Sequence, residues 1–226
     1  MTDISITVDL LLGARAPSVS CAEAEEIGRG YFGIDARATA LSSERDGNFR
    51  MRTTEGLDYL LKITNPAENA SVTNLQTMAL RHLEIHAPQL PIPRLVASGA
   101  GPDEVPLTLA DGRRHVVRLM TFLRGRPLSA SGYLAVCRPL VAKVLAELDL
   151  GLRDFNHAAA GHDLLWDVTR ATRVRPMLDS VANADRRQSR GPASRRIRNI
   201  RCALLNGLAI ADHSQRLQSR QYPGFG

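Results

Sequence analysis

The stretch from Ala38 to Ile63 restricts the possible folds of this chain more than any other segment. Its apolar and alternating runs predict three short strands, at 38–41, 48–53 and 59–63. A polar loop separates the first two strands, and Glu55-Gly56 makes the turn into the third. The third strand carries Lys62, one of only two lysines in the protein. The pattern therefore predicts that a strand delivers a lysine beneath a polar loop.

The loop between the first two predicted strands has a composition that suits an anionic ligand. It contains Ser42, Ser43, Asp46 and one glycine, Gly47. Small residues allow backbone amides to approach an anion closely. The same composition is also typical of an ordinary polar hairpin, and the loop alone does not decide between the two.

The flanking segments predict a helix before this stretch and mixed structure after it. Ser20 to Glu23 has the pattern of a capping box, so a helix should begin there, run to about Tyr31 and close near Gly33. A break near Arg124 separates a sheet-rich part from a helical part. The other predicted elements are an amphipathic helix at 72–86, a strand at 95–98, a hairpin of strands 106–109 and 115–122 around Asp111-Gly112, and helices at 134–155 and 163–174.

The net charge of +6 is confined to one end of the sequence. Residues 188–226 contain seven arginines and one acid, so the remaining residues are balanced. A basic segment that binds nucleic acid normally also has lysines, interleaved aromatics or a fold signature, and this one lacks them before Tyr222. Specific binding of nucleic acid is therefore not expected.

Metal, disulfide and membrane roles have little support in the sequence. Cys21, Cys137 and Cys202 are far apart, which fits reduced structural thiols. His82 and His86 have a spacing that can bind metal, but no third ligand is evident, and a surface helix explains them better. No run has the length of a membrane helix, so we expect a cytoplasmic protein without membrane partners.

Four segments together resemble the aminoglycoside/choline kinase-like phosphotransferase family, and most closely its hydroxylysine kinase branch. The resemblance covers about residues 16–187. The segments that carry it are Leu41 to Phe49, Leu60 to Glu68, Leu119 to Leu128, and Leu164 to Asp167.

The resemblance implies a nucleotide site built from the first half of the chain. Lys62 would hold the phosphates of ATP or GTP with Mg²⁺, and a side chain from the following helix would orient that lysine. The helix position falls near Gln76, where most kinases have glutamate; an amide orients a lysine less strongly, and Gln76 is otherwise an ordinary exposed helix residue. The remaining site residues implied are Ser42, Ser43 and Asp46 over the phosphates, and Thr121, Phe122 and Leu123 at the hinge to the base.

The catalytic loop of such kinases is absent from the sequence. It has the form His-x-Asp-x-x-x-x-Asn and is followed by a second metal-binding aspartate, and neither is present. The resemblance places this loop within the arginine-rich tail. Degenerate codons for 213–226, read one base later, permit a string that contains the missing pattern. We therefore hypothesise a shift of reading frame near Arg187.

The sequence thus predicts an α+β protein whose kinase-like N-terminal lobe has a five-stranded antiparallel sheet plus a helix. We expect a leader at 1–19, a nucleotide-binding lobe at 20–123, the start of an incomplete helical C-terminal lobe at 124–187, and a tail at 188–226 that is out of frame or disordered. The intact type of protein would transfer a nucleotide γ-phosphoryl to a small hydroxylated substrate such as 5-hydroxylysine. This chain has no catalytic or metal-ligating residues to assign and would be an inactive version. The alternative is a non-catalytic nucleotide-binding or regulatory module with a genuine basic tail.

Overall fold

The computed structural model of the protein describes residues 14–125 and 134–162, all within one compact unit that ends at His162. The predicted leader up to residue 13, the predicted helix at 163–174 and the tail at 188–226 lie outside the described residues. The elements in chain order are α1 (Cys21–Phe32), β1 (Ala36–Leu41), β2 (Gly47–Thr53), β3 (Asp58–Ile63), α2 (Ala70–His86), β4 (Leu95–Val96), β5 (Val105–Thr108), β6 (Arg114–Thr121) and α3 (Leu134–Gly151).

The strands form one antiparallel sheet, which confirms the predicted α+β class and the kinase-like N-terminal lobe. Strand order is β1-β2-β3-β6-β4, and β5 also pairs with β6. The sheet has six strands, so the predicted count of five was one too low. Each of the six segments predicted as strands is present in the sheet, and the strand predicted at 95–98 is β4, only two residues long, which pairs with β6.

The two faces of the sheet have different chemistry, because successive side chains of a strand point to opposite faces. On one face, Leu61 and Ile63 of β3 lie opposite Leu119 and Val117 of β6, and all four are fully buried in the apolar cluster that includes α1. On the other face, Lys62 of β3 lies opposite Arg118 of β6. The sheet therefore has an apolar core on the α1 side and a charged row on the side that α2 contacts through Arg118.

Helix α1 begins and ends where its sequence signals predict. The Ser20 hydroxyl accepts a hydrogen bond from the Glu23 backbone N–H, and the Glu23 carboxylate accepts one from the Ser20 backbone N–H. Gly33 follows the helix with φ of 67°, in the left-handed region that glycine adopts without a Cβ clash. The predicted capping box and glycine stop are both confirmed.

Helix α3 is shorter than predicted, since it ends at Gly151 rather than near Phe155. A Cβ at position 151 would lie 2.8 Å from Leu83 Cδ2 and 3.0 Å from the Cβ of Ala87. The Gly151 carbonyl also accepts a hydrogen bond of 3.0 Å from His82 Nε2. Glycine thus ends the helix at its close contact with α2.

None of the helices in the described residues has the length and apolar content needed to cross a membrane.

Candidate functional site

The loop between β1 and β2 closes onto the lysine of β3. The Asp46 carboxylate forms an ion pair with the Lys62 ammonium group, and each side chain is 23% exposed. The other carboxylate oxygen of Asp46 accepts a hydrogen bond of 2.9 Å from the Asn65 backbone N–H. The structure therefore brings together two of the residues that the sequence assigned to a phosphate site, Asp46 and Lys62.

Asn65, directly after β3, holds the loop in place. Its side-chain amide donates hydrogen bonds of 2.8 Å to the carbonyl oxygens of Arg45 and Arg15. Its side-chain oxygen accepts a hydrogen bond of 2.9 Å from the Ala67 backbone N–H. The Asn65 side chain is almost fully buried, at 4% exposed. The sequence interpretation assigned no role to Asn65, although Asn65-Pro66 marks the end of a strand.

The remaining loop residues differ in their surroundings. Ser42 and Ser43 are exposed and lie in the loop. Gly47 is the first residue of β2 rather than part of the loop, and it pairs with Ile63. A Cβ at Gly47 would lie 3.4 Å from the Ile63 Cβ, so this glycine permits close packing of two strands. Its presence is therefore explained by packing of β2 against β3, and Gly47 does not lie in the loop where the sequence analysis placed it.

Gln76 contacts a different cation from the one expected. Its side-chain oxygen accepts a hydrogen bond of 3.0 Å from Arg118 Nη2. Arg118 is the cross-strand neighbour of Lys62, so Gln76 reaches the residue next to the expected lysine. Nη1 of Arg118 also donates to the Thr73 carbonyl and the Thr77 hydroxyl, both on α2. Helix α2 is thus held to this face of the sheet through Arg118.

Arg118 is a buried charge at 1% exposed. Its Nε has no hydrogen-bond partner among the described residues. Burial lowers the pKa of Arg118, while the carboxylates of Glu104 and Asp46 act at longer range in the opposite direction. The sequence interpretation missed Arg118, although an arginine inside an otherwise apolar strand (Val116 to Met120) was a visible signal.

The predicted hinge lies at the end of β6. The Thr121 backbone N–H donates to the Arg94 carbonyl at 2.8 Å, and the Phe122 N–H donates to the Asp58 carbonyl at 3.1 Å. Both donors are therefore used within the sheet. Leu123 follows them, with its side chain 49% exposed and no hydrogen bond within the described part of the chain. Of the three predicted hinge residues, Leu123 alone has a backbone N–H that makes no hydrogen bond to another described residue.

Arg50 stacks on Phe122 of the predicted hinge. The Arg50 guanidinium lies 4.9 Å from the centre of the Phe122 ring and forms two hydrogen bonds to Asp58, of 3.0 and 2.9 Å. The hydrogen bonds from Arg50 hold the pKa of the Asp58 carboxyl below its usual value. Phe122 is thus held by a cation–π contact from β2.

No other group in the described residues forms a candidate metal or ligand centre. A search of those residues finds no cluster of three or more His, Cys, Asp or Glu side chains able to hold a metal ion. The rings of His82 and His86 stack with centroids 4.0 Å apart, which fits the structural interpretation of this pair. A groove of about 510 Å³ lies along Thr64, Asn65 and Thr73, but neither Lys62 nor the hinge lines it.

Comparison with known families matches residues 37–215 to the phosphotransferase enzyme family. The chain belongs to this family. The matched residues include β1 to α3 and the whole Lys62 site. The match also includes residues 188–215, which the frameshift hypothesis places out of frame, so it gives no support to a shift near Arg187.

The chain is also similar to individual phosphotransferases. A hydroxylysine kinase of Danio rerio is 28% identical over 152 residues, which are 62% of this chain and 41% of that protein. This chain thus spans less than half the length of that curated relative.

Among solved structures, a microcompartment-associated aminopropanol kinase superposes with a TM-score of 0.51 at 17% identity, over 66% of this chain and 45% of that one. An amicoumacin kinase in complex with AMP-PNP and Ca²⁺ gives a TM-score of 0.47 at 16% identity, over 54% and 36% of the two chains. The aminopropanol kinase shows that the fold is that of small-molecule kinases.

Proposed function

We propose that this chain binds a magnesium nucleotide, ATP or GTP, in the cradle formed by the β1–β2 loop, Lys62 and the hinge at 121–123. The observation that carries the proposal is the closure of the loop onto Lys62 through Asp46. Membership of the phosphotransferase family supports the same assignment. The type of reaction is transfer of the γ-phosphoryl group to a small hydroxylated substrate, with 5-hydroxylysine as the first candidate because the curated relative is a hydroxylysine kinase.

Each proposed site residue has a role that its surroundings allow. Lys62 binds the α- and β-phosphate oxygens through its ammonium group once these replace Asp46. The backbone of Ser42 and Ser43 covers the phosphates from above. Leu123 offers its backbone N–H, which bonds to no other described residue, to the base, while Thr121 and Phe122 position Leu123. Gln76 acts indirectly, since it contacts Arg118 and not the lysine.

The metal ion comes with the nucleotide in this proposal. The described residues contain no set of ligands that would hold Mg²⁺ independently. When bound, Mg²⁺ neutralises charge on the phosphates. The chain's own residues bind and orient the nucleotide, and no catalytic base is assigned among them.

Binding without turnover is the expected behaviour of the sequence as it stands. No His-x-Asp-x-x-x-x-Asn loop occurs in it. Positioning and charge stabilisation are nearly the whole of phosphoryl-transfer catalysis, so a chain without the base and metal anchors should not transfer phosphate at a useful rate. The gene sequence tests the frameshift directly: if no frame encodes the missing loop, that hypothesis is wrong.

The test of nucleotide binding uses the two lysines of the chain. We expect Mg-ATP or Mg-GTP to raise the melting temperature of the wild-type protein, and Lys62→Ala to lose that shift. Lys143→Ala is the matched control, because Lys143 is 71% exposed on α3 and its ion pair among the described residues is with Glu147. A Lys62→Ala protein that keeps the full ligand-induced shift would refute the cradle.

The second candidate is a regulatory nucleotide-binding module whose basic tail is genuine. The match of the family to residues 188–215 is the observation that favours it over a frameshift. The same binding experiment applies to it, and a gene that encodes the tail in its only open frame would distinguish the two. A tail that binds DNA would show affinity that falls steeply with salt and is lost when 188–226 is deleted.

A further inference from the structure

Arg118 has a buried positive charge that no carboxylate in the described structure contacts. Its hydrogen bonds go to a carbonyl, a hydroxyl and an amide oxygen, from Thr73, Thr77 and Gln76. None of these acceptors carries a charge. A buried charge is costly unless a counter-charge or a full set of hydrogen bonds accompanies it, and the Nε of Arg118 lacks a partner in this part of the chain.

Arg118 and Lys62 lie directly opposite each other on neighbouring strands and on the same face of the sheet. Like charges in this position destabilise a sheet. One carboxylate, Asp46, contacts Lys62, and both Asp46 and Glu104 influence Arg118 only at longer range. Once phosphates replace Asp46 at Lys62, the row of two cations faces a polyanion. The arrangement is unfavourable without an anion and favourable with one.

We propose that Arg118 is a positioning residue that supplies the second positive charge of the phosphate site. The inference rests on the proposed function, in which nucleotide phosphates bind at Lys62. Arg118 does not touch the ligand, because its guanidinium is buried against α2. It acts through the field at Lys62 and through its hydrogen bonds to α2.

This role of Arg118 explains why position 76 has a neutral amide rather than a carboxylate. A glutamate there would pair with Arg118 at the 3.0 Å distance now occupied by the Gln76 oxygen and would cancel its charge. A neutral acceptor fixes the guanidinium and leaves the charge available to the site. The usual kinase arrangement makes the opposite prediction, since a glutamate that oriented Lys62 would strengthen the site.

Gln76→Glu therefore distinguishes the two arrangements by whether it weakens or strengthens the binding of Mg-ATP. Gln76 is exposed, so the change should not disturb the core. We expect the Kd for Mg-ATP to rise about tenfold, while the Kd for adenosine, which has no phosphates, stays within about twofold. Gln89→Glu is the matched control, because it makes the same change at an exposed position three residues after the end of α2 at His86. The helix from 76 to 86 alone spans about 15 Å at 1.5 Å per residue, which is beyond the screening length.

Substitution of Arg118 separates charge from packing. Arg118→Lys should keep most of the affinity for Mg-ATP, and Arg118→Met should lose it selectively for the phosphate-bearing ligand. Gln76→Glu that tightens or does not change Mg-ATP binding would overturn the inference. Equal weakening of adenosine and Mg-ATP would also overturn it, since that indicates a structural effect. If Lys62→Ala binds Mg-ATP as well as wild type, the nucleotide site itself fails, whatever the Arg118 variants do.

Discussion

Asp46→Asn isolates the competition between the loop carboxylate and the phosphates for Lys62. The substitution removes one negative charge, while the asparagine oxygen can still accept the 2.9 Å hydrogen bond from the Asn65 N–H. Both partners of the Lys62–Asp46 pair are only 23% exposed, so the pair contributes about 1 kcal/mol, at the upper end for partly solvated pairs. A phosphate ligand must replace this interaction. Its removal should tighten nucleotide binding by about fivefold, since 1.4 kcal/mol corresponds to about tenfold.

Isothermal titration of wild type and Asp46→Asn with Mg-ATP measures this effect. Without ligand, the free energy of unfolding of the variant should be about 1 kcal/mol lower than that of wild type, because the ion pair is lost. Glu68→Gln is the control. It removes a negative charge from the 3.3 Å ion pair that Glu68 forms with Arg45 of the same loop, and it does not affect Lys62 directly. The affinity for Mg-ATP should stay within about twofold. An Asp46→Asn protein that binds Mg-ATP several-fold more weakly would refute the competition and make Asp46 an orienting or metal-binding group.

Three further predictions concern the scaffold of the site. Asp58→Asn should lower the melting temperature at pH 7, because Arg50 holds the pKa of Asp58 in the folded protein below 3.8. The difference in melting temperature from wild type should be full above pH 3.8 and disappear as the pH falls through the folded pKa. Gly151→Ala should lower the free energy of unfolding by about 1–3 kcal/mol in chemical denaturation, because the new Cβ would meet Leu83 and Ala87. Gly30→Ala, on an open face of α1, should raise it by about 0.5–1 kcal/mol. Ser20→Ala should lower the free energy of unfolding by about 1 kcal/mol through loss of the capping box, and no change would show that the start of α1 is not capped in solution.

The secondary structure followed closely from the sequence because the signals were local. The capping box at Ser20, the glycine after α1 and the alternation in β2 each depend on a few adjacent residues, and the observed bounds differ from the predicted ones by one or two residues. The end of α3 could not be predicted in this way. It depends on the contact of Gly151 with Leu83 and Ala87, which are distant in sequence.

The partners within the site also could not be read from the sequence. Lys62 and Gln76 were each identified as site residues, but which cation the amide contacts depends on the register of β3 against β6 and on the rotation of α2. A helix rotation of one residue, about 100°, changes the partner of every side chain on it. The identity of Asp46 as the partner of Lys62 likewise needs the conformation of the β1–β2 loop.

The proposed nucleotide binding can be tested separately from catalysis, so the reading-frame question does not depend on the cradle. Among the described residues, the hydrogen bonds and the ion pair of Lys62 and Arg118 all involve residues between Asp46 and Arg118. The described unit that holds them ends at His162, before the tail begins. Nucleotide affinity should therefore be the same, within about twofold, for the full chain and for a version that continues from residue 188 in the alternative frame through the catalytic loop and the second metal-binding aspartate. Phosphoryl transfer should appear only in the second protein. A loss of affinity in one of the two proteins would show that residues beyond the described unit help to build the cradle.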